Sequence, residues 1–132
     1  MQLAERYRAY IACLNARSWH DLSQFVDDSV QYNGNRVGLS GYREMLQNDV
    51  RTIPDLAFNI DLLVVDAPVV ASRLLFDCSP RGQFLGLETY GQRLKFSENV
   101  FYTFAHGKIV QVWSVIDKSA VEAALRSREE TH

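Results

Sequence analysis

Two carboxylates stand out in the stretch Lys95 to Asp117, KFSENVFYTFAHGKIVQVWSVID, because each sits in a run of Val, Ile, Phe, Tyr and Trp. Asp117 closes the run behind Trp113 and Val115, and Glu98 lies in its first half. A partly desolvated carboxyl has a raised pKa, and a second acid nearby raises the pair further. Poised near neutral pH, such a base can remove a proton from carbon next to a carbonyl and return it elsewhere. That step is shared by aldol cyclisation and enone isomerisation. The enolate oxygen then needs donors, which Asn33, Tyr102 or Tyr7 could supply. Each residue also has a plainer use. Asp117 precedes Lys118-Ser119-Ala120 and suits a helix N-cap, Glu98 suits an ion pair at a strand edge, and Asn33 before Gly34 suits a turn.

The elements that must position these groups follow from periodicity. The carboxylate stretch reads as a β-hairpin, two β-rich runs around an Ala105-His106-Gly107-Lys108 turn. With a register closing near Phe104 and Ile109, Tyr102 faces Gln111, Val100 faces Trp113, Glu98 faces Val115 and Phe96 faces Asp117. Gln111, Trp113, Val115 and Asp117 then share one face with Glu98, Val100 and Tyr102. Upstream, Leu3, Tyr7, Tyr10, Ile11 and Leu14 recur at helical spacing over Leu3 to Arg17. A short second helix spans WHDLSQFV with Ser18 as its cap, Val30 to Asn33 reads as a short strand, and a third helix begins at Ser40 and stops before Pro54. From Ala57 the period changes to two. AFNIDLLVVD and VVASRLLFD form a hairpin around Ala67-Pro68, with Phe58, Ile60, Leu62 and Val64 on one face. Glycines and Pro80 punctuate Ser79 to Arg93, so the strand around Gln83 to Leu87 is short or bulged. Lys118 to Arg128 is a terminal helix, followed by a frayed EETH tail.

The 132 residues, 47 % of them hydrophobic, suit a single domain over 1–132 with a full core. A net charge of −2 with dispersed basic residues gives no footprint for nucleic acid or an anionic membrane. Charged Glu5, Arg6 and Arg8 interrupt the first apolar pattern, so no signal peptide or transmembrane run is expected. Cys13 and Cys78 read as reduced thiols, consistent with a cytoplasmic location. P-loop, nucleophile-elbow, dinucleotide and paired-His metal patterns are missing, so neither cofactor nor metal is expected. His20 and His106 read as exposed.

The order helix, helix, short strand, helix, then long strands resembles the nuclear transport factor 2-like superfamily. Three pieces are similar to its SnoaL-like polyketide cyclase group: Tyr32-Asn33-Gly34, Gly82-Gln83-Phe84-Leu85-Gly86, and Gly107 to Asp117 with its Trp113 and closing Asp. The resemblance implies an α+β fold, a conical barrel of a strongly curved, mixed, mostly antiparallel sheet. Three N-terminal helices would cover its concave face, and a short helix would close the chain. It implies an acid/base enzyme with Asp117 as base; with Glu98 and Asn33 added from the residues themselves, the expectation is a cofactor-free enzyme acting on a small, largely apolar carbonyl compound. Trp113, Tyr102, Val100, Tyr7, Met45 and Phe84 would line the pocket. It also implies a homodimer through the convex sheet face. Val112 stands where the family cyclases carry His, and Cys78-Ser79-Pro80 where many relatives carry Gly-Thr-His. The other reading is a non-catalytic ligand-binding or dimerisation module of the same fold.

Overall fold

A computed structural model describes residues 2–130; the end of the expected frayed tail, Thr131 and His132, lies outside them. The N-terminal pattern becomes helix α1 (Leu3–Asn15), which buries Tyr7, Tyr10, Ile11 and Leu14. Beyond it the Asn15 amide holds Phe58 from both sides, accepting from its N–H at 2.7 Å and donating to its carbonyl at 3.0 Å. The end of α1 is thereby tied to the start of the long strands. The second expected helix is a six-residue 3-10 helix, Trp19–Gln24. Ser18 contributes no side-chain cap to it. Two α-helices and one 3-10 turn therefore precede the long strands where three helices were predicted.

Strand β1 (Val26–Tyr32) starts four residues earlier than the expected Val30 and takes in Asp27, Asp28 and Ser29. Asn33 and Gly34, at φ 49° and 83°, turn it directly into β2 (Asn35–Arg36). A two-residue turn with positive φ at both positions suits Asn-Gly and matches the twist of the strands it joins. Helix α2 (Gly38–Thr52) follows and ends as the position before Pro54 leaves the helical region at Ile53.

Strands β3 (Asn59–Asp66) and β4 (Val69–Cys78) form the hairpin expected around Ala67-Pro68. A register shift at Asp61 breaks the alternation within β3, so Leu62 and Val64 are exposed while Phe58 is buried. The glycine-rich segment makes a small hairpin of its own, β5 (Gln83–Phe84) with β6 (Leu87–Glu88). Strands β7 (Leu94–Ala105) and β8 (Lys108–Ile116) turn at His106-Gly107, and α3 (Lys118–Glu130) closes the described chain.

Six strands form one sheet in the order β2-β1-β8-β7-β4-β3. The β1–β8 pair is parallel and the other pairs are antiparallel, as a mixed, mostly antiparallel sheet requires. The edges β2 and β3 do not pair with each other, so the fold is an open α+β sheet where a conical barrel was predicted. The core lies between the inner sheet face, with Val70, Leu74, Val100, Tyr102 and Val112, and the apolar stripe of α1. The Tyr102 ring lies tilted 5.0 Å from Tyr7 and edge-on 5.8 Å from Tyr10, centroid to centroid. Tyr7 is thus interior packing. Truncating Leu74, 1 % exposed in the middle of β4, leaves a void the rigid sheet cannot close. Leu74→Ala is expected to cost about 3 kcal/mol of unfolding free energy in urea titration, with little change in the slope.

Candidate active site

One residue decides which side chains meet. In β8 the register closes as expected, Ala105 opposite Lys108 and Phe104 opposite Ile109, and then shifts: Thr103 pairs with Gln111, Tyr102 with Val112 and Phe101 with Trp113. Val110 is a bulge, and every later side chain of β8 is displaced by one relative to the predicted pairing. Tyr102, Val100 and Glu98 therefore face Val112, Ser114 and Ile116 on the inner side. Trp113, Val115 and Asp117 belong to the outer side and are exposed.

The predicted base thus stands away from the interior. Asp117 accepts a hydrogen bond from the Ala120 N–H at 3.1 Å and caps α3, while its own N–H donates to the Ser97 carbonyl at 2.9 Å. It borders an open groove of about 410 Å³ on the outer face, together with Arg73, Asp77 and Lys95. Two of these groups are already engaged, Arg73 with Asp61 and Asp77 with Arg93, both at 2.6 Å. Trp113, predicted as pocket wall, lies beside Gly34 on that same outer side. Asn33 likewise supplies no donor to the interior. Its amide accepts from the Ser114 N–H at 2.8 Å and donates to the Ser114 carbonyl at 3.2 Å, pinning the end of β1 to β8.

The inner side holds a chamber of two lobes, about 50 Å³ and about 130 Å³, that share Tyr32, Met45, Asp49, Phe58 and Glu98 as walls. The smaller is closed by Tyr10, Tyr42, Tyr102 and Val100, the larger by Phe76, Phe84, Phe96 and Ile116. Of the residues predicted to contact a ligand, Tyr102, Val100, Met45 and Phe84 line these lobes; Tyr7 packs behind them. Phe84 gets there because the β5–β6 hairpin lays it 5.2 Å from Phe96, which stacks at 5.2 Å on Phe76.

Glu98 is the predicted site residue that reaches the chamber with chemistry to perform. The Ser114 hydroxyl donates to its Oε2 from a diagonal position on β8, two residues along from Ile116, which lies opposite Glu98. Burial raises the Glu98 carboxyl, and that hydroxyl opposes the rise by stabilising the anion. Asn33 acts at one remove, since it fixes the backbone from which Ser114 reaches Glu98.

Asp49 is the acid the sequence reading passed over. It stands on α2 at the mouth of the chamber, solvent on one side and the apolar wall on the other. Desolvation, followed by the facing charge of Glu98, pushes its carboxyl up to about 6. No hydrogen-bond donor among the described residues meets it, whereas Glu98 has the Ser114 hydroxyl to stabilise its anion. The signal was in the helical spacing: Tyr42, Met45, Leu46 and Asp49 fall at i, i+3, i+4 and i+7, which puts a carboxylate on an apolar stripe.

Tyr10 and Tyr42 complete the set, their hydroxyls 2.7 Å apart and both buried. Burial raises both phenols far above neutral pH, so each stays a neutral hydroxyl. One donates to the other, which leaves one proton free for an acceptor in the chamber. Cys78, buried like Cys13 and unpaired, is pushed up to about 11 and supplies no thiolate. Among the described residues no group of three or more His, Cys, Asp or Glu side chains is arranged to hold a metal ion. Among them, too, no helix is long and apolar enough to cross a membrane.

A family model described as SnoaL-like polyketide cyclase matches residues 4–125. The chain belongs to the SnoaL-like polyketide cyclase family. Its backbone superposes with a TM-score of 0.93 on a SnoaL-like polyketide cyclase from Agrobacterium tumefaciens, at 49 % identity over 95 % of this chain and 99 % of that one. IdmH of Streptomyces antibioticus, described as a polyketide cyclase candidate, shares the fold at a TM-score of 0.82, with 16 % identity over 95 % of this chain and 99 % of its own. AclR of Streptomyces galilaeus, described as a hydroxylase candidate, does so at 0.75, with 21 % identity over 96 % and 98 %. A search among curated proteins finds no match.

Two outcomes follow from the placements of Asp117 and Asp49. Asp117→Ala is expected to lower stability by about 1 kcal/mol, the worth of an N-cap, read from the urea midpoint. For Asp49 the folded pKa is raised, so between its ordinary 3.8 and about 6 the folded state binds more protons than the unfolded one. Stability is then greatest below that window and falls as pH rises through it. Asp49→Asn is expected to flatten that fall and to raise the urea midpoint at pH 8.

Proposed function

We propose that this SnoaL-like protein is a cofactor-free acid/base enzyme that moves a proton at carbon next to a carbonyl of a small, largely apolar compound. Family membership supports a cyclase- or isomerase-type reaction. The observation that carries the reading is Glu98: a carboxyl raised by burial, backed by a hydroxyl, inside a chamber with a phenol pair. In this reading Glu98, in place of Asp117, abstracts the proton. Substrate binding displaces water from the apolar lobe, which strengthens the base. Negative charge develops on the carbonyl oxygen, and the free proton of the Tyr10–Tyr42 pair stabilises it. The hydrogen bond between the two phenols orients that donor before the substrate arrives. Glu98 then returns its proton at the same or a neighbouring carbon, so no external acid is consumed. Asp49, ionised above about 6, places a second negative charge opposite Glu98. The lobes are well below the roughly 300 Å³ at the lower end of drug-sized pockets, which limits the substrate to a small molecule.

The test is hydrogen–deuterium exchange at the α-carbon of small ketones such as cyclohexanone, followed by NMR in D₂O. Exchange above the buffer rate is expected with the native protein, falling toward acid as Glu98 protonates. Glu98→Gln, of the same shape, is expected to reduce it at least about 100-fold while the fold persists. Asp117→Ala, a cap variant, is expected to retain it. A folded Glu98→Gln protein with unchanged exchange removes the reading. The smallness of the lobes, with Val112 in place of the family histidine, favours a second reading, a ligand-binding module without turnover. It requires ligand binding with no exchange by the native protein.

A homodimer is part of the proposal. Five apolar side chains crowd the outer sheet face: Leu62 (61 % exposed), Val64 (65 %), Phe101 (55 %), Trp113 (45 %) and Val115 (71 %). Such a patch is covered in solution, and a second copy presenting the same patch is the occupant proposed. Light scattering is expected to give twice 15.1 kDa, and Phe101→Glu to give the monomer mass.

A further inference from the structure

The walls of the chamber carry negative charge without any positive counterpart. Glu98 and Asp49 line both lobes, and among the described residues no Lys, Arg or His side chain lines either. The remaining walls of the larger lobe are rich in aromatic rings: Tyr32, Phe58, Phe76, Phe84 and Phe96. Phe76 lies between the other two rings of its row, edge-on to Phe58 at 5.6 Å and stacked on Phe96 at 5.2 Å. Ring faces present negative potential to a cation, and the attraction grows where water is excluded. Carboxylates taken partly out of water normally have a partner, yet no donor among the described residues meets Asp49. A ligand carboxylate placed here would meet two acids and no cation. A ligand ammonium would meet a free carboxylate and aromatic walls.

Resting on the reading that this chamber is the ligand site, we infer that the compound it holds is a small organic ammonium ion, an amino-carbonyl compound in the enzymatic case. Its charged nitrogen lies at the Asp49 carboxylate in the mouth, and its apolar part lies against the phenylalanine row. The carbonyl end then extends toward Glu98 and the Tyr10–Tyr42 pair. In this arrangement Asp49 sets specificity and Glu98 performs the chemistry. The exposure of Asp49 at the mouth suits this division, because the cationic end of the ligand can stay partly hydrated while its apolar part is desolvated.

Three probes of nearly equal size and different charge test this without turnover: benzylammonium, benzyl alcohol and benzoate, titrated at pH 7.5 into the full chain and read by NMR shifts. Benzylammonium is expected to bind roughly tenfold more tightly than benzyl alcohol, and benzoate not to bind. Asp49→Asn is expected to bring benzylammonium down to the affinity of benzyl alcohol while leaving the alcohol's own affinity in place. Phe84→Ala, on the small β5–β6 hairpin outside the main sheet, is expected to weaken both. Benzoate or benzyl alcohol binding as tightly as benzylammonium overturns the inference and leaves the chamber as the ligand site. So does a cation preference that survives in folded Asp49→Asn. Binding by none of the three overturns the inference and the chamber reading together.

Discussion

The bulge at Val110 is the constraint on which the rest depends. It inserts one residue into β8 after a normal turn, and because side chains alternate with period two, everything beyond it changes face. With it, Val112 packs under Tyr102 and Ser114 meets Glu98, while Trp113, Val115 and Asp117 go outside. Without it, Glu98 would lack its hydroxyl partner and the tryptophan would fill the chamber. The parallel strand β1 secures the shifted register, since Asn33 grips both backbone groups of Ser114.

Around that register the protein brings polar groups from four separate elements into an apolar interior. Glu98 comes from β7, Ser114 from β8, Asp49 and Tyr42 from α2, and Tyr10 from α1. Each group in the chamber is shifted in the direction that burial dictates: phenols held neutral, carboxyls held up. Their differences come from local partners. Glu98 has a hydroxyl that opposes its rise; Asp49 has no such donor and feels the charge of Glu98. A shared fold does not set these details, as AclR and IdmH carry different described activities on similar backbones.

Much of this was legible in the sequence. Helical spacing located α1 and α2, the change to period two located the long strands, and Asn33-Gly34 and His106-Gly107 marked the turns. Glu98, Tyr102, Val100, Met45 and Phe84 were singled out and do line the chamber. The face of β8 was not legible, because IVQVWSVI is apolar in both phases and no charge marks one side as wet. The same ambiguity hid the irregularity at Asp61 that turns Leu62 and Val64 outward. Asp117 was drawn inward by that phase error, and its capping role is the one its neighbours Lys118 to Ala120 indicated. Asp49 was visible as an acid on an apolar stripe, but its pairing with Glu98 joins α2 to β7 and exists only once the chain has folded.

The central claim is that Glu98, within the chamber, and Asp49, at its mouth, titrate as a linked pair. Carbon-13 NMR of the two side-chain carboxyls across pH measures this directly. The account requires Asp49 to titrate near 6, Glu98 to titrate above its ordinary value, and Glu98→Gln to bring the Asp49 midpoint down. Two independent titrations at ordinary carboxylate values, with the Asp49 midpoint unmoved by Glu98→Gln, would contradict it.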